Sequence, residues 1–309
     1  MKIFNSIKSF SATKETIVTI GTFDGVHLGH RKILEQITKN ARDTNCESLV
    51  LTFFPHPRMV LQEDTEMKQL NTLDEKISLL DKLGVDNLVI HPFDKEFSRL
   101  TAEEFVKEVL VDVFKVKKII IGHDHRFGRN RTANIDDLIT FGETFGFDVE
   151  QISVEELNEV SISSTKIRNA LLEGNVELAA NYLGYNYSLT GTVYKGKQLG
   201  RTIGYPTANI RIDENYKLIP ENGVYVAQSV INGKLIFGMM NIGFRPTVDG
   251  TTQTIEINYF DFNQDLYDQK ITISTLKRMR SEQKFESIDA LRNQLNVDKT
   301  TAMQYIDLL

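Results

Sequence analysis

The rhythm of the chain changes near Tyr185, and that change limits the folds open to it. Before it, apolar strand-like runs at 16–20, 48–54, 87–91, 118–121 and 147–152 alternate with helical patterns. Ile33, Leu34, Ile37 and Ala41 form one apolar stripe, with Lys32, Glu35, Lys39 and Arg42 largely on the other face. A second helical pattern over 73–83 stops at Gly84, a residue suited to a left-handed cap. Thr101 and Glu104 read as a capping box opening a helix over 103–114. Strands separated by helices predict an α/β domain, a parallel sheet with helices on both faces. After Tyr185, short β-rich runs follow at 189–195, 209–212, 224–231, 234–241, 254–260 and 271–277, and Asn232-Gly233 signals a tight hairpin. Six closely spaced strands predict a small antiparallel barrel. Helical spacing over 288–295 and 302–309 predicts terminal helices packed on it. The chain is read as two domains, 1–185 and 186–309, and 309 residues suffice for a core in each.

On an open parallel sheet, ligands bind beyond the carboxyl ends of the strands. The loops expected there are 21–29, 55–58, 91–94, 122–131 and, before the last helix, 161–168. All five are polar, and together they make one site. The first belongs to GTFDGVHLGH, residues 21–30, where a strand hands over to a helix. A helix N-terminus carries unpaired N–H groups and partial positive charge, so anions settle there. His27 and His30, three apart, share a helical face from which both rings can touch one polyphosphate. Gly21, Gly25 and Gly29 allow close approach of backbone and ligand. Two plainer readings exist, a metal-binding pair or mere decoration of a helix start. No cysteine or acidic cluster nearby completes a zinc-type site.

The other motifs each admit an ordinary reading. ISSTKIR, 162–168, is a capped helix start, with Ser163, Ser164 and Thr165 as caps and Arg168 one turn inside. Pro55-His56-Pro57 is either a turn or a stiff loop that brings an imidazole to the cleft. In GKQLGRTIGYPTANI, 196–210, Gly196, Gly200 and Gly204 make a pliable flap, and Thr207 and Asn209 point to one side of the strand that follows. A hydroxyl with a carboxamide suits Mg²⁺ and phosphate oxygens. Strand parity sets Glu256 and Asn258 opposite Ile255 and Ile257. Glu256 is then either an exposed carboxylate on the barrel's outer face or a base.

The net charge of −6, without any long Lys/Arg block, argues against a nucleic-acid binder. Lys277-Arg278-Met279-Arg280 is the densest basic stretch. The single cysteine, Cys46, excludes an internal disulfide and suits a reducing compartment. With neither a signal-peptide apolar core nor a run of membrane-spanning length, no membrane partner and a cytoplasmic location are expected. The oligomeric state is left open.

Taken together, GxFDGxHxGH, ISSTxIR and PTAN resemble the bacterial bifunctional riboflavin kinase/FAD synthetase family, with the motifs of both halves in family order. The resemblance implies a Rossmann-like nucleotidyltransferase domain followed by a riboflavin-kinase barrel. The barrel would convert riboflavin and ATP to FMN, and the first domain FMN and ATP to FAD and pyrophosphate, with Mg²⁺ in both steps. It implies catalytic roles for His27, His30, Arg168 and Glu256. Nucleotide contacts would come from Gly21, Phe23, Asp24, Gly25, Gly29, Ser163, Ser164, Thr165, Gly200, Thr207 and Asn209, the last two also holding the metal. Arg168 would grip phosphate with both ends of its guanidinium. GHDHRFGRN, 122–130, resembles the family's flavin-contacting GxDFxFG, matched at Asp124, Arg126, Phe127 and Gly128. His125 stands where phenylalanine is usual, so stacking there would fall to an imidazole. Thr132 also replaces a family glycine. His56 and Arg280 complete the implied flavin contacts. Two rivals are a nucleotidyltransferase for another phosphorylated acceptor with an accessory barrel, and a flavin-binding regulator without turnover. PTAN together with Glu256 speaks against the first, since an accessory barrel has no use for that pair; in the second, retention of both catalytic sets would be gratuitous.

Overall fold

The computed structural model describes residues 1–61, 66–122, 126–153, 162–196, 198–247 and 250–309. It divides into two compact units, Met1–Ser163 and Ser164–Leu309.

The first unit is built on six parallel strands: β1 (Lys2–Phe4), β2 (Thr16–Ile20), β3 (Glu47–Phe53), β4 (Asn87–His91), β5 (Val116–Gly122) and β6 (Asp148–Ile152). Their order is β1-β4-β3-β2-β5-β6. Successive side chains leave opposite faces, so each buried strand feeds two cores. Ile17, Val50, Leu88, Ile90 and Ile120 pack with Ile33, Leu34 and Ile37 of α1 (Leu28–Asp43) and Leu80 of α2 (Leu73–Lys82). Val18, Ile20, Leu49, Leu51, Val89, Ile119 and Ile121 pack on the other face with Phe105, Val109, Leu110 and, from α3 (Ile135–Phe145), Leu138. Each such side chain contributes about 1.5–3 kcal/mol through burial. The Thr101–Glu104 capping box forms as expected, but the helix it opens is regular only over Ala102–Glu104. It widens to a π-helix over Phe105–Val111, with Asp112 N–H donating to the Lys107 carbonyl at 3.0 Å. From β2 the chain steps to β3 on one side, whereas β5 and β6 lie on the other. The strand order therefore reverses between β2 and β5, where a crevice for ligands opens in folds of this kind.

The second unit begins with α4 (Ser164–Leu172) and α5 (Val176–Leu183). Six strands follow: β7 (Ser188–Tyr194), β8 (Ala208–Arg211), β9 (Gly223–Ile231), β10 (Lys234–Thr247), β11 (Gly250–Tyr259) and β12 (Lys270–Arg280). They close an antiparallel barrel in the order β10-β11-β8-β7-β12-β9. Leu189, Val193, Ile210, Met240, Ile242, Ile255, Ile257 and Ile273 are buried and fill it. Asn232 (φ 52) and Gly233 (φ 75) make the hairpin between β9 and β10, both in the left-handed region that such a turn demands.

One helix, α6 (Ile288–Ile306), stands where the spacing predicts two, which corrects the reading of terminal helices in the plural. The interruption in apolar spacing has a cause. Asp298 faces inward, 3% exposed, because it receives the Arg280 guanidinium. Leu171, Ala179 and Leu183 are fully buried within the second unit, and Glu221 N–H donates to the Leu171 carbonyl at 2.9 Å. Compactness thus groups α4 and α5 with the barrel, ahead of position 185.

Candidate active sites

The turn after β2 is unusual in its backbone. Phe23 (φ 46), Gly25 (φ 87) and Val26 (φ 37) all lie in the left-handed region, and Val26 N–H donates to the Phe23 carbonyl at 3.2 Å. For the two non-glycine residues this costs on the order of 1–3 kcal/mol each, strain that persists only where surrounding structure fixes it. The turn delivers His27 to the N-cap of α1, where its side chain accepts from His30 N–H. The two imidazoles stack, centroids 3.6 Å apart and planes 19° from parallel. Phe23 meets His30 edge-on at 5.2 Å. An added Cβ on Gly29 would lie 3.3 Å from the His27 ring, so a small residue keeps the stack open.

His30 Nδ1 is buried and has no hydrogen-bond partner among the described residues. Desolvation holds the His30 pKa well below its ordinary value, helped by His27 and by the ammonium of Lys76. His30 therefore presents a neutral imidazole near a helix N-terminus. Asp24, 1% exposed, accepts from Leu70 N–H at 2.9 Å. That bond ties the turn to the segment before α2. The sequence reading missed Lys76. Its signal was available: a cation four residues before Leu80, on the buried stripe of α2.

His56 is buried, and its Nδ1 accepts from Arg58 N–H at 3.2 Å. Arg126 is exposed. Phe127 belongs to the core, 6.2 Å from the Phe105 ring, and exchanges two backbone hydrogen bonds with Ala133. Gly128 is required twice over: its φ is +72, and a Cβ would lie 2.9 Å from Ala102 N. Asp124 and His125 lie outside the described residues. Ser163 ends the first unit, while Ser164, Thr165 and Arg168 open α4 in the second.

The low pKa of His30, and that of half-buried His91, has a consequence for stability. Desolvation lowers His91, whose Nδ1 accepts from Ile7 N–H at 3.3 Å. As pH falls below about 6.5, the unfolded chain takes up protons that the folded histidines refuse. Stability is therefore expected to fall from that pH downward until the folded-state values are passed. Thermal melts of the full chain at pH 7.5 and 5.5 check this; an unchanged first-unit transition would contradict it.

In the barrel, residues directly across from one another share a face. Glu256 pairs with Asn209 on β8 and with Asn241 on β10, and Asn209 pairs with Tyr194 on β7. These side chains lie opposite the interior row of Ile255 and Ile257. The Thr207 hydroxyl donates to Glu256 Oε2 at 3.0 Å. Asn209 is 4% exposed, and its Oδ1 has no partner among the described residues. The flap roofs this group: Asn258 Nδ2 donates to the Pro206 carbonyl at 2.7 Å. A Cβ on Gly196 would meet the Asn209 carboxamide at 2.5 Å, and one on Gly200 the Tyr205 carbonyl at 2.2 Å. Glu256 is accordingly half-buried under a loop, not a carboxylate left on an open outer face. Arg280 donates to Asp298, from Nε to Oδ1 at 2.9 Å and from Nη2 to Oδ2 at 2.7 Å.

A strained turn at a helix N-terminus on a parallel sheet, and a carboxylate beside hard oxygen donors in a barrel, make two candidate centres, and similarity to known proteins gives the class, an enzyme transferring phosphorus-containing groups. A sequence model of the FAD synthetase family matches residues 9–166, and one of the riboflavin kinase family matches 183–306. Bifunctional riboflavin kinase/FMN adenylyltransferases are similar throughout. The Escherichia coli K12 protein is 36% identical over all of this chain and 99% of its own length. That of Haemophilus influenzae is 38% identical over 94% of each, and that of Bacillus subtilis 36% over 96% of this chain and 94% of its own. A crystal structure described as a macrolide-efflux protein from Streptococcus pneumoniae superposes with a TM-score of 0.89 at 32% identity, covering 97% of this chain and 98% of that one. The chain belongs to the bifunctional riboflavin kinase/FMN adenylyltransferase family. Among the described residues, no helix is long and apolar enough to cross a membrane.

Proposed function

We propose that the chain makes FAD from riboflavin in two ATP-dependent steps, with the residues of each site acting as follows. In the barrel, Glu256 orients the ribityl 5′-hydroxyl and accepts its proton late, as the oxygen attacks the γ-phosphate and ADP leaves. The observation that carries this reading is Glu256 set between Asn209 and Asn241, bonded to Thr207 and roofed by the flap. An accessory barrel has no use for that arrangement. Asn209 Oδ1, a buried and unsatisfied hard oxygen, fits Mg²⁺, with the Thr207 hydroxyl as a second donor. When bound, the ion supplies charge neutralisation on the nucleotide phosphates.

In the first unit, a phosphate oxygen of FMN attacks the α-phosphate of ATP and pyrophosphate departs. His27, His30 and the N–H groups opening α1 hold the phosphates as charge moves to the leaving group. The ISSTKIR motif assigns phosphate contacts to Ser163, Ser164, Thr165 and Arg168, and the loops of His56 and Arg126 suit flavin contacts. The lone cysteine, Cys46, suits a reducing cytoplasm. Incubation with riboflavin, ATP and Mg²⁺, followed by chromatography of the flavins, tests the whole scheme. FMN should appear first and FAD after it; failure to form either would overturn the reading.

The two activities are proposed to divide along the chain. Since α4 and α5 bury Leu171, Ala179 and Leu183 within the second unit, a fragment of residues 164–309 is expected to phosphorylate riboflavin and to make no FAD. A fragment of 186–309 loses those contacts and should melt at lower temperature. A folded 164–309 fragment without kinase activity would remove that activity from the barrel.

A further inference from the structure

Lys76 is a buried cation for which no motif accounts. It lies on α2 with 2% of its surface exposed, and its Nζ donates to the main-chain carbonyl of Thr22 at 2.7 Å. Thr22 belongs to the strained turn between β2 and the histidines. Its carbonyl also accepts from the Thr52 hydroxyl of β3, at 3.3 Å. The turn is therefore clamped from three directions: Lys76 and Thr52 on the Thr22 carbonyl, and Leu70 N–H on the Asp24 carboxylate. A buried ammonium is costly unless its charge is used. Here desolvation lowers the Lys76 pKa while Asp24 opposes the shift. The charge acts outward on His30, whose protonation it disfavours.

We propose that Lys76 is a positioning residue for adenylyl transfer: bonded to Thr22 and facing Asp24, it fixes the turn that lays His27 and His30 against the nucleotide phosphates. It touches neither substrate. Its action has two parts, the shape of the turn and a local positive charge that adds to desolvation in disfavouring protonation of His30. The charged and titratable groups concerned are Asp24 in the turn, His27 and His30 on α1, and Lys76 on α2. The inference rests on the adenylyl-transfer reading of this turn.

The test compares Lys76→Met with wild type in the full chain, measuring kcat and KM for FAD formation from supplied FMN and ATP. Misplacement of reacting groups by about 1 Å typically costs on the order of 10²-fold. Lys76→Met is expected to lose about that much in kcat/KM while riboflavin phosphorylation stays within about twofold. His30, followed by NMR, is expected to titrate at higher pH than in wild type, a change that a purely space-filling lysine would not produce. If Lys76→Met does not fold, Lys76→Gln decides, since it stays polar but is uncharged and one atom shorter, so it removes both the charge and the close bond to the Thr22 carbonyl. Wild-type FAD synthesis in the folded variant overturns the proposal. His30→Ala, assayed alongside, separates the two levels. Loss in His30→Ala without loss at position 76 overturns the role of Lys76 alone. Full FAD synthesis in His30→Ala overturns the site reading, and the role of Lys76 with it.

Discussion

Glu256→Gln is expected to lower riboflavin phosphorylation by roughly 10²–10⁴-fold, the usual cost of losing a positioned general base. The substitution suits the local geometry. Glutamine keeps the length of the side chain and an oxygen to accept from Thr207, which bonds Glu256 Oε2 at 3.0 Å, so the roof of the site stays in place. What disappears is the capacity to take a proton from the attacking hydroxyl. FAD synthesis from supplied FMN should continue unchanged, because the histidine turn belongs to the other compact unit. A carboxylate serving only the surface would change stability by no more than about 0.5 kcal/mol and leave turnover alone. Steady-state assays of both activities on one preparation distinguish the outcomes, and wild-type kinase turnover would remove Glu256 from the mechanism.

His30→Ala is expected to depress FAD formation by on the order of 10²–10³-fold while FMN formation persists. That is the range found when one preorganised donor is removed from a site where charge develops. His30 is a cleaner choice than His27. The His27 side chain also caps α1, so its removal would cost about 0.5–2 kcal/mol of stability before any effect on chemistry. His30 gives up only a stacking and an edge-on ring contact, and its buried Nδ1 bonds nothing among the described residues. Equal loss of both activities in a folded variant would mark His30 as structural.

Much of this was legible in the residues because the relevant signals are periodic or local. Strands at 16–20 and 87–91 read correctly, since continuous apolar runs between helical stripes have few other interpretations. Strand parity alone placed Glu256 opposite Ile255 and Ile257. What sequence could not supply was the loop above it: the bond from Asn258 to Pro206 is long-range, and it decides between an open surface and a covered site. Three-residue β1 escaped notice because Lys2–Phe4 is too short to show a period. Asp298 disguised the middle of α6 because a buried carboxylate paired with Arg280 looks, in sequence, like a polar break. Lys76 shows in sequence as a cation on the buried stripe of α2, but the partners that hold it, Thr22 and Asp24, are distant in sequence. Phe127, which fits the flavin-contacting pattern, also packs in the core beside Phe105, a placement the motif alone does not reveal.

The two β-structures of this chain meet the hazard of unpaired strand edges in different ways. Closure of the barrel gives each of its strands two neighbours over much of its length, while 243–247 of β10 and 250–254 of β11 pair only with each other among the described residues. The parallel sheet stays open and must have two rims. One is β1, only three residues long and led by Lys2, and the other is β6, five residues carrying Asp148 and Glu150. Short, charged rims are poor templates for strand addition. The fully buried β2 and its neighbour β3 sit in the interior of the sheet where such addition cannot reach them. Strand addition to this sheet would then have to start from a chain that has lost a rim, which makes the integrity of β1 and β6 a measure of how long the sheet survives at high concentration.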